Sequence, residues 1–280
     1  MTDDLSRRDF VSLTVAAGVV AATGDLSAQV QVVEKDVTIT TPDGTCDAAF
    51  IHPATGTHPG VLIWPDAFGL RPTLREMAKR LAADGYSVLI PNPFYRLAKA
   101  PLPFGPANFN FGNTEDRAKL TPLMGSVTAP GAAERDAQAY IAFLDSQPQV
   151  NKARQIGTQG YCMGGPLIVR TAAISDRIGA AASFHGGGLV TKEPTSPHLL
   201  LAKVRARMYF GVAANDDKGQ PDAKDVLRKA MTDARVQGEV ELYTTADHGW
   251  CMADFANIYD KEDAEKAWQK LLALYKAGLA

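Results

Sequence analysis

The 280-residue sequence predicts an α/β fold: a mostly parallel sheet with helices on both faces. Short, continuously apolar runs such as residues 60–64 are typical of strands buried on both faces. Segments with apolar residues at helical spacing, such as residues 72–84, alternate with these runs. Strands that alternate with helices favour parallel pairing, because each connecting helix can then pack on a face of the sheet.

The individual elements follow from local signals. Strands are predicted at residues 32–40, 46–52, 60–64, 86–90, 155–159, 178–184, 208–212 and 240–243, and helices at 72–84, 132–146, 165–174, 223–236 and 263–276. Pro42-Asp43-Gly44 is a turn signal that joins the first two strands as a hairpin. Residues 97–130 are rich in Pro, Gly, Phe and Asn without clear periodicity, which predicts a long functional loop or lid. No internal repeat appears, so residues 29–280 are interpreted as one domain.

The first 28 residues differ from the rest of the chain. Arg7 and Arg8 precede an uncharged stretch, rich in Ala and Val, that ends at Gly24. This stretch is shorter than the roughly 20 residues that a membrane-spanning helix needs. The arginine pair, with Phe10 two positions after it, resembles a twin-arginine export signal. We therefore expect residues 1–28 to be removed and the mature protein to be periplasmic or secreted, without a stable membrane anchor.

Composition narrows the possible function classes. Hydrophobic residues make up 46% and charged residues 21% of the chain, which is typical of a soluble globular protein. The formal net charge of −2, without blocks of like charge, gives no support for nucleic-acid binding. The three cysteines, Cys46, Cys162 and Cys251, suit neither a disulfide framework nor a zinc site, and at most a Cys46–Cys251 bridge is conceivable. The expected partner is a small molecule, with no metal or other cofactor, and the oligomeric state is not predicted.

One glycine-flanked cysteine carries the main chemical signal. In Gly160-Tyr161-Cys162-Met163-Gly164-Gly165, a predicted strand turns at once into a predicted helix. Such a turn crowds the positions two before and two after the central residue, so both must be small. It lifts Cys162 above the sheet and places it at a helix N-terminus, where the dipole favours a thiolate. The backbone N–H of Met163 is then free to donate to an oxyanion.

A nucleophile of this kind needs a base and an acid later in the chain. We predict His248 as the base, because it follows the strand 240–243 and parallel sheets place active sites beyond their strand ends. His185, at the end of another strand, is its rival. Asp216 is predicted as the acid, since it lies a few residues beyond the strand 208–212, with Asp217 as the alternative. Asp222 fits a helix N-cap better.

These residues resemble the dienelactone hydrolase family, which has the α/β-hydrolase fold. The resemblance extends from about residue 32 to the end, and a Cys at the centre of the turn is its most specific mark. Further segments that match are Asp66-Ala67-Phe68-Gly69-Leu70, Asp84-Gly85-Tyr86, Pro91-Asn92-Pro93-Phe94 and Ala246-Asp247-His248-Gly249-Trp250. The resemblance implies an ester or lactone hydrolase with a Cys162/Asp216/His248 triad and a thioester acyl-enzyme.

The resemblance also implies roles for residues around the nucleophile. The N–H of Ala67 would be the second oxyanion donor. Relatives have a Glu where Asp66 stands, and that carboxylate interacts with the resting thiol, so Asp66 is the residue expected to activate Cys162. Arg96 falls where relatives use an Arg to hold a substrate carboxylate. Met252 stands at the substrate-binding position where they have a second Arg, so it is expected to contact substrate while half of that carboxylate clamp is missing.

Aromatic residues near these segments are expected to shape the substrate site. Trp250 adjoins the predicted base, and Phe104, Phe109 and Phe111 lie on the predicted lid, where they would line the pocket mouth or simply fix the loop to the domain. Two alternative hypotheses of function remain. One is a general carboxylesterase or thioesterase with the same triad, which the loss at Met252 favours. The other is a non-catalytic or redox protein with Cys162 as an oxidisable thiol.

Overall fold

The computed structural model describes residues 30–280, and all strands in that part of the chain belong to one eight-stranded sheet. The strands are β1 (Val32–Thr41), β2 (Gly44–Pro53), β3 (Gly60–Trp64), β4 (Ser87–Pro91), β5 (Ile156–Tyr161), β6 (Ile178–Phe184), β7 (Arg207–Ala213) and β8 (Gly238–Tyr243). Their order is β1-β2-β4-β3-β5-β6-β7-β8. Only β2 pairs antiparallel with its neighbours, β1 and β4. The predicted mostly parallel sheet is confirmed.

Helices cover both faces of this sheet. They are α1 (Pro72–Ala83), α2 (Thr114–Thr128), α3 (Ala132–Ser146), α4 (Gly164–Ile174), α5 (Ala214–Gly219), α6 (Ala223–Ala234) and α7 (Lys261–Gly278), with 3-10 turns at Pro106–Asn108 and Pro197–Lys203. Alternate residues of β3 enter opposite cores, as the period of a strand requires. Leu62 and Trp64 pack on the side of α2, α3, α4 and α6, whereas Val61 and Ile63 pack on the side of α1 and α7.

The predicted loop at residues 97–130 is wrong where α2 lies. This helix buries only Leu120, Leu123 and Val127 and contains Pro122, so its sequence shows no continuous apolar stripe. A capping signal was present, because the Asn113 side chain accepts hydrogen bonds from the first backbone N–H groups of the helix. The remaining segment, 97–113, stays mostly irregular and reaches the site described below.

The parallel pairing brings five connections to one edge of the sheet, at the carboxyl ends of β3, β5, β6, β7 and β8. Every residue proposed from sequence as nucleophile, base or acid lies in these connections. No helix within residues 30–280 is long and apolar enough to cross a membrane. The export signal expected at residues 1–28 lies outside the described residues and stays a prediction.

Candidate active site

Cys162 occupies a strained turn between β5 and α4. Its φ of 52° is in the left-handed region, which costs a non-glycine residue on the order of 1–3 kcal/mol. The flanking glycines are sterically required. A Cβ on Gly160 would collide with the carbonyl oxygen of Gly164, and a Cβ on Gly164 with that of Trp64. The strand-to-helix turn predicted from the sequence is present, with Cys162 partly exposed at its centre.

His248 lies in the connection after β8 and lines the same cleft as Cys162. Two residues of the connection after β7 bind it. Its Nδ1 is 2.8 Å from Oδ2 and 3.0 Å from Oδ1 of Asp216. Its backbone N–H donates to Oδ1 of Asn215 at 2.9 Å. Burial disfavours the charged imidazole, but interactions with the Asp216 carboxylate and the Cys162 thiol outweigh it and raise the pKa of His248 to about 10. Sequence reasoning missed Asn215, although it directly precedes the predicted acid.

The two other candidates for the acid, Asp217 and Asp222, do not contact His248. Asp217 forms an ion pair with Lys224, with 2.7 Å between Oδ1 and Nζ. Asp222 stands at the N-cap position of α6, as expected, but its side chain makes no capping hydrogen bond. Among the three carboxylates considered from sequence, Asp216 is the one that contacts His248.

His185, the rival base, lines the same cleft as Cys162 and contacts its backbone. Its Nδ1 accepts a hydrogen bond from the backbone N–H of Cys162 at 3.1 Å, and its ring centroid is 4.9 Å from that of His248. Complete burial, together with the neighbouring His248, holds the pKa of His185 well below its usual range. Its Nε2 is buried and has no partner among the described residues. This ring is therefore neutral and contacts the nucleophile through the backbone.

Two backbone N–H groups in the connections after β3 and β5 have no intramolecular acceptor among the described residues. Within residues 30–280, neither the N–H of Met163 nor that of Ala67 donates to a protein atom, whereas those of Phe68 and Gly69 both bond to Asp66. Ala67 and Cys162 line the same cleft. Both predicted oxyanion donors are thus available to an acceptor from outside the chain.

Asp66 is held by an arginine rather than by the thiol. Nη1 and Nη2 of Arg71 lie 2.7 and 2.8 Å from the two carboxylate oxygens of Asp66. Arg71 also binds Asp254, in the connection after β8, through Nε at 2.6 Å and Nη2 at 3.1 Å. The expected contact between Asp66 and the thiol is therefore not the one the structure forms. Arg71 and Asp254 were missed, since nothing in the sequence indicates that residues 183 apart pair.

Cys162 and His248 open into a cleft of about 420 Å³. Its wall is mostly apolar, and it is formed by Asp66, Ala67, Phe68, Pro106, Phe109, Phe111, Cys162, His185, His248, Gly249, Phe255 and Ile258. Phe109 and Phe111, from the predicted lid, thus line the cleft. Phe104 packs behind Phe109, with 5.7 Å between ring centroids.

Three residues expected to bind substrate do not line this cleft. Arg96 is ion-paired with the fully buried carboxylate of Asp136 and with Asp43, each at 2.7 Å. Trp250 and Met252 are fully buried among apolar side chains on the α1 and α7 side of the sheet. The structure therefore gives these residues packing and ion-pair contacts in place of the expected substrate contacts.

The remaining thiols form no bridge. Cys46 and Cys251 are both free, so the conceivable disulfide between them is absent. Within the described part of the chain, no three His, Cys, Asp or Glu side chains are grouped as a metal site would require.

Comparison with known proteins identifies the family. Residues 46–279 match the dienelactone hydrolase family. The chain belongs to that family. It is accordingly a carboxylic ester hydrolase, in agreement with the names of its relatives. A Synechocystis sp. protein provisionally named a carboxymethylenebutenolidase is 27% identical over 231 residues, 81% of this chain and 89% of the relative. The carboxymethylenebutenolidase of Rhodococcus opacus is 24% identical, over 83% of this chain and 87% of that protein.

Solved structures agree on the fold of this family member. A dienelactone hydrolase-like promiscuous phosphotriesterase from metagenomic libraries superposes with a TM-score of 0.72 at 21% identity, covering 89% of this chain and 99% of that one. The dienelactone hydrolase of Anabaena variabilis gives a TM-score of 0.61 at 16% identity, covering 90% and 100%. At these identities the likeness establishes the α/β-hydrolase fold and carries no argument about substrate.

Proposed function

We propose that this protein hydrolyses carboxylic esters or lactones through a Cys162–His248–Asp216 triad and a thioester acyl-enzyme. One observation carries the proposal: His248 is bound to Asp216 through Nδ1 and lines the same cleft as Cys162, a cysteine set in a strained strand-to-helix turn. In such a triad the acid fixes the orientation of the imidazole, which leaves the second ring nitrogen for proton transfer.

In the proposed first half-reaction, His248 holds the proton and the Cys162 thiolate attacks the ester carbonyl carbon through Sγ. A C–S bond forms, and the carbonyl π electrons move onto oxygen. Collapse of this adduct breaks the bond to the leaving oxygen, which takes the proton from His248. In the second half-reaction, His248 removes a proton from water, the hydroxide attacks the thioester, and the acid leaves as the thiolate reforms.

The N–H groups of Met163 and Ala67 are proposed to stabilise the oxyanion in both adducts. Both lack an intramolecular acceptor among residues 30–280, and Ala67 lines the cleft beside Cys162. Each donor of this kind contributes roughly 3–4 kcal/mol in comparable enzymes. Because the donors belong to the backbone, substitution of their side chains leaves this interaction in place.

The proposed mechanism is tested by trapping the acyl-enzyme. With 4-nitrophenyl acetate, wild-type protein should release nitrophenolate in a burst and gain the mass of one acetyl group on Cys162 after rapid acid quench. Cys162→Ala should show neither, and Asp216→Asn should slow both steps while keeping the adduct. Turnover that persists in Cys162→Ala would exclude this thiol as nucleophile. Oxidation of Cys162 without any acyl adduct would support the redox-thiol alternative.

We further propose that residues 1–28 direct export of the folded protein. The Arg7-Arg8 pair and the weakly apolar stretch that follows support this proposal. Expression of the full chain in a bacterium, with mass measurement of the periplasmic product, tests it. Replacement of Arg7 and Arg8 by Lys should leave the protein uncleaved in the cytoplasm, whereas unchanged periplasmic yield would contradict the twin-arginine route.

A further inference from the structure

We propose that the substrates of this site are uncharged esters bearing an aromatic or branched apolar group, and that carboxylate-bearing lactones are poor substrates. The inference rests on the proposed ester hydrolase function and adds the substrate class. Two features of the cleft carry it: a continuous wall of phenylalanine rings, and a lining without Lys or Arg whose one carboxylate is bound by an arginine with all its hydrogen-bond donors used within the protein.

The phenylalanine wall consists of Phe68, Phe109, Phe111 and Phe255, which come from the connections after β3 and β8 and from the segment before α2. Phe68 touches the other three, with ring centroids 5.3, 5.8 and 5.8 Å away. Aromatic rings at such distances bind a further ring by edge or offset contacts. Phe111 is 52% exposed, a large apolar surface beside the nucleophile that an apolar group of a substrate would cover.

Positively charged His248, in the cleft wall, and Arg71, next to it, are each paired with a carboxylate of the protein. Neither Lys nor Arg is among the residues that line it in the described part of the chain. His248, whose raised pKa leaves it protonated at neutral pH, is paired with Asp216. The lining carboxylate, Asp66, adds negative charge that Arg71 balances. A substrate carboxylate would therefore meet no unpaired cation among the described residues that line the cleft.

Two arginines adjoin residues that line the cleft. Arg117 is bound to the carbonyl of Phe111 and to Thr114. Arg71 is bound to Asp66, and all five of its N–H donors have protein acceptors. Nε binds Asp254, Nη1 binds Asp66 and the carbonyl of Gly69, and Nη2 binds both carboxylates. Phe68 and Phe255 lie near the guanidinium, at 5.8 and 6.0 Å from their ring centroids. Arg71 is 7% exposed and Asp66 2%. Turning Arg71 toward a substrate would leave a buried carboxylate unpaired, which is strongly unfavourable.

A carboxylate on the substrate would thus lose its hydration against phenylalanine rings without gaining a partner. An uncharged group of the same shape loses far less. The test is a matched pair of aryl acetates, 4-acetoxybenzamide and 4-acetoxybenzoate, which differ in charge and hardly in shape. We expect kcat/KM of the wild-type protein for the amide to exceed that for the carboxylate by at least about tenfold.

Two variants place a cation on the surface at equal exposure. Phe111→Arg puts a guanidinium at the cleft, whereas Leu199→Arg puts one on the Pro197–Lys203 turn, where Leu199 is also 52% exposed. Phe111→Arg should shift the ratio of the two kcat/KM values toward the carboxylate by at least about fivefold, and Leu199→Arg should leave it unchanged. A 4-acetoxybenzoate preference in the wild type, or equal shifts in both variants, would overturn the inference.

The same measurements separate this inference from the proposed function. Hydrolysis of both esters that disappears in Cys162→Ala, combined with a preference for the carboxylate, would sink the substrate class and leave the triad standing. If the wild-type protein hydrolysed neither ester and formed no acyl adduct, the proposed function would fail and the inference with it.

Discussion

The backbone N–H of Cys162 donates to Nδ1 of His185 at 3.1 Å and shares its hydrogen with the carbonyl oxygen of Phe184, also at 3.1 Å. An Nδ1 that accepts carries no proton, so the His185 ring is neutral and protonated on Nε2. Cys162 and His185 both have left-handed backbone conformations, with φ of 52° and 42°. The contact therefore joins two strained turns, after β5 and after β6, and holds the backbone of the nucleophile.

His185 is predicted to be a positioning residue for Cys162. Asn tolerates left-handed φ and its side-chain oxygen can replace Nδ1 as acceptor, whereas Phe keeps the ring volume and offers no acceptor. We expect His185→Phe to lower kcat by at least about tenfold with little change in KM, because a small displacement of a nucleophile has a large effect on rate. His185→Asn should retain most of kcat. Equal loss in both variants, or a loss confined to KM, would contradict this role.

The two histidines predict opposite pH dependences of stability. His185 has a pKa held below the ordinary value of 6.5, so its contribution to the free energy of unfolding is present above pH 6.5 and falls as pH decreases below it. His248 has a pKa raised to about 10, so its contribution is complete below pH 6.5 and is lost as pH rises toward 10.

Chemical denaturation at a series of pH values gives the free energy of unfolding as a function of pH and checks both predictions. The acid limb of the wild-type curve should flatten in His185→Asn, which removes the suppressed titration. The alkaline limb should flatten in Asp216→Asn, which removes the main partner of His248. If both variants shifted the whole curve uniformly, neither histidine would be linked to folding as proposed.

Glycine at position 160 is predicted to be irreplaceable. A Cβ there would meet the backbone carbonyl of Gly164, which cannot move without displacing the start of α4. Gly160→Ala should therefore lower the free energy of unfolding by about 4 kcal/mol or more, or prevent folding. Gly125→Ala is the matched control, since nothing lies within 4 Å of a Cβ on this residue inside α2. It should be neutral or stabilise by up to about 1 kcal/mol, because Ala favours helix more than Gly does. Comparable melting temperatures for the two variants would contradict the steric argument.

The sequence predicted those features that depend on neighbouring residues. Strand β6 and helix α3 have the predicted bounds, because an apolar run or a helical stripe is delimited there by polar and glycine residues. The nucleophile turn could also be predicted from the sequence. The crowding that requires Gly160 and Gly164 arises within the turn itself and from the end of the neighbouring strand β3.

Contacts between loops that are distant in the chain could not be predicted from the sequence. The Asp66–Arg71–Asp254 link joins the connections after β3 and β8, and only the folded sheet brings these together. Arg96 was predicted to bind substrate because it matches a family arginine. The fold instead places it beside Asp136 on α3, and this pairing could not be predicted from the sequence. Helix α2 escaped notice because its polar surface hides the periodicity.

Arg96 is accordingly predicted to serve stability rather than substrate binding. The Asp136 carboxylate is fully buried and receives hydrogen bonds from Arg96 and from the Tyr95 hydroxyl. Removing the guanidinium leaves that charge poorly compensated, so Arg96→Met should lower the free energy of unfolding by about 3–5 kcal/mol. Arg205→Met is the control, because Arg205 and its partner Asp176 are each 80% exposed, and it should cost less than about 1 kcal/mol.

Kinetics on the same Arg96→Met protein complete the test. Below its melting temperature, the ratio of kcat/KM for 4-acetoxybenzamide to that for 4-acetoxybenzoate should equal the wild-type ratio, because Arg96 does not line the cleft. A clamp on the substrate carboxylate would instead make the variant lose activity selectively toward the benzoate. A selective loss of that kind, with stability unchanged, would return Arg96 to the substrate site.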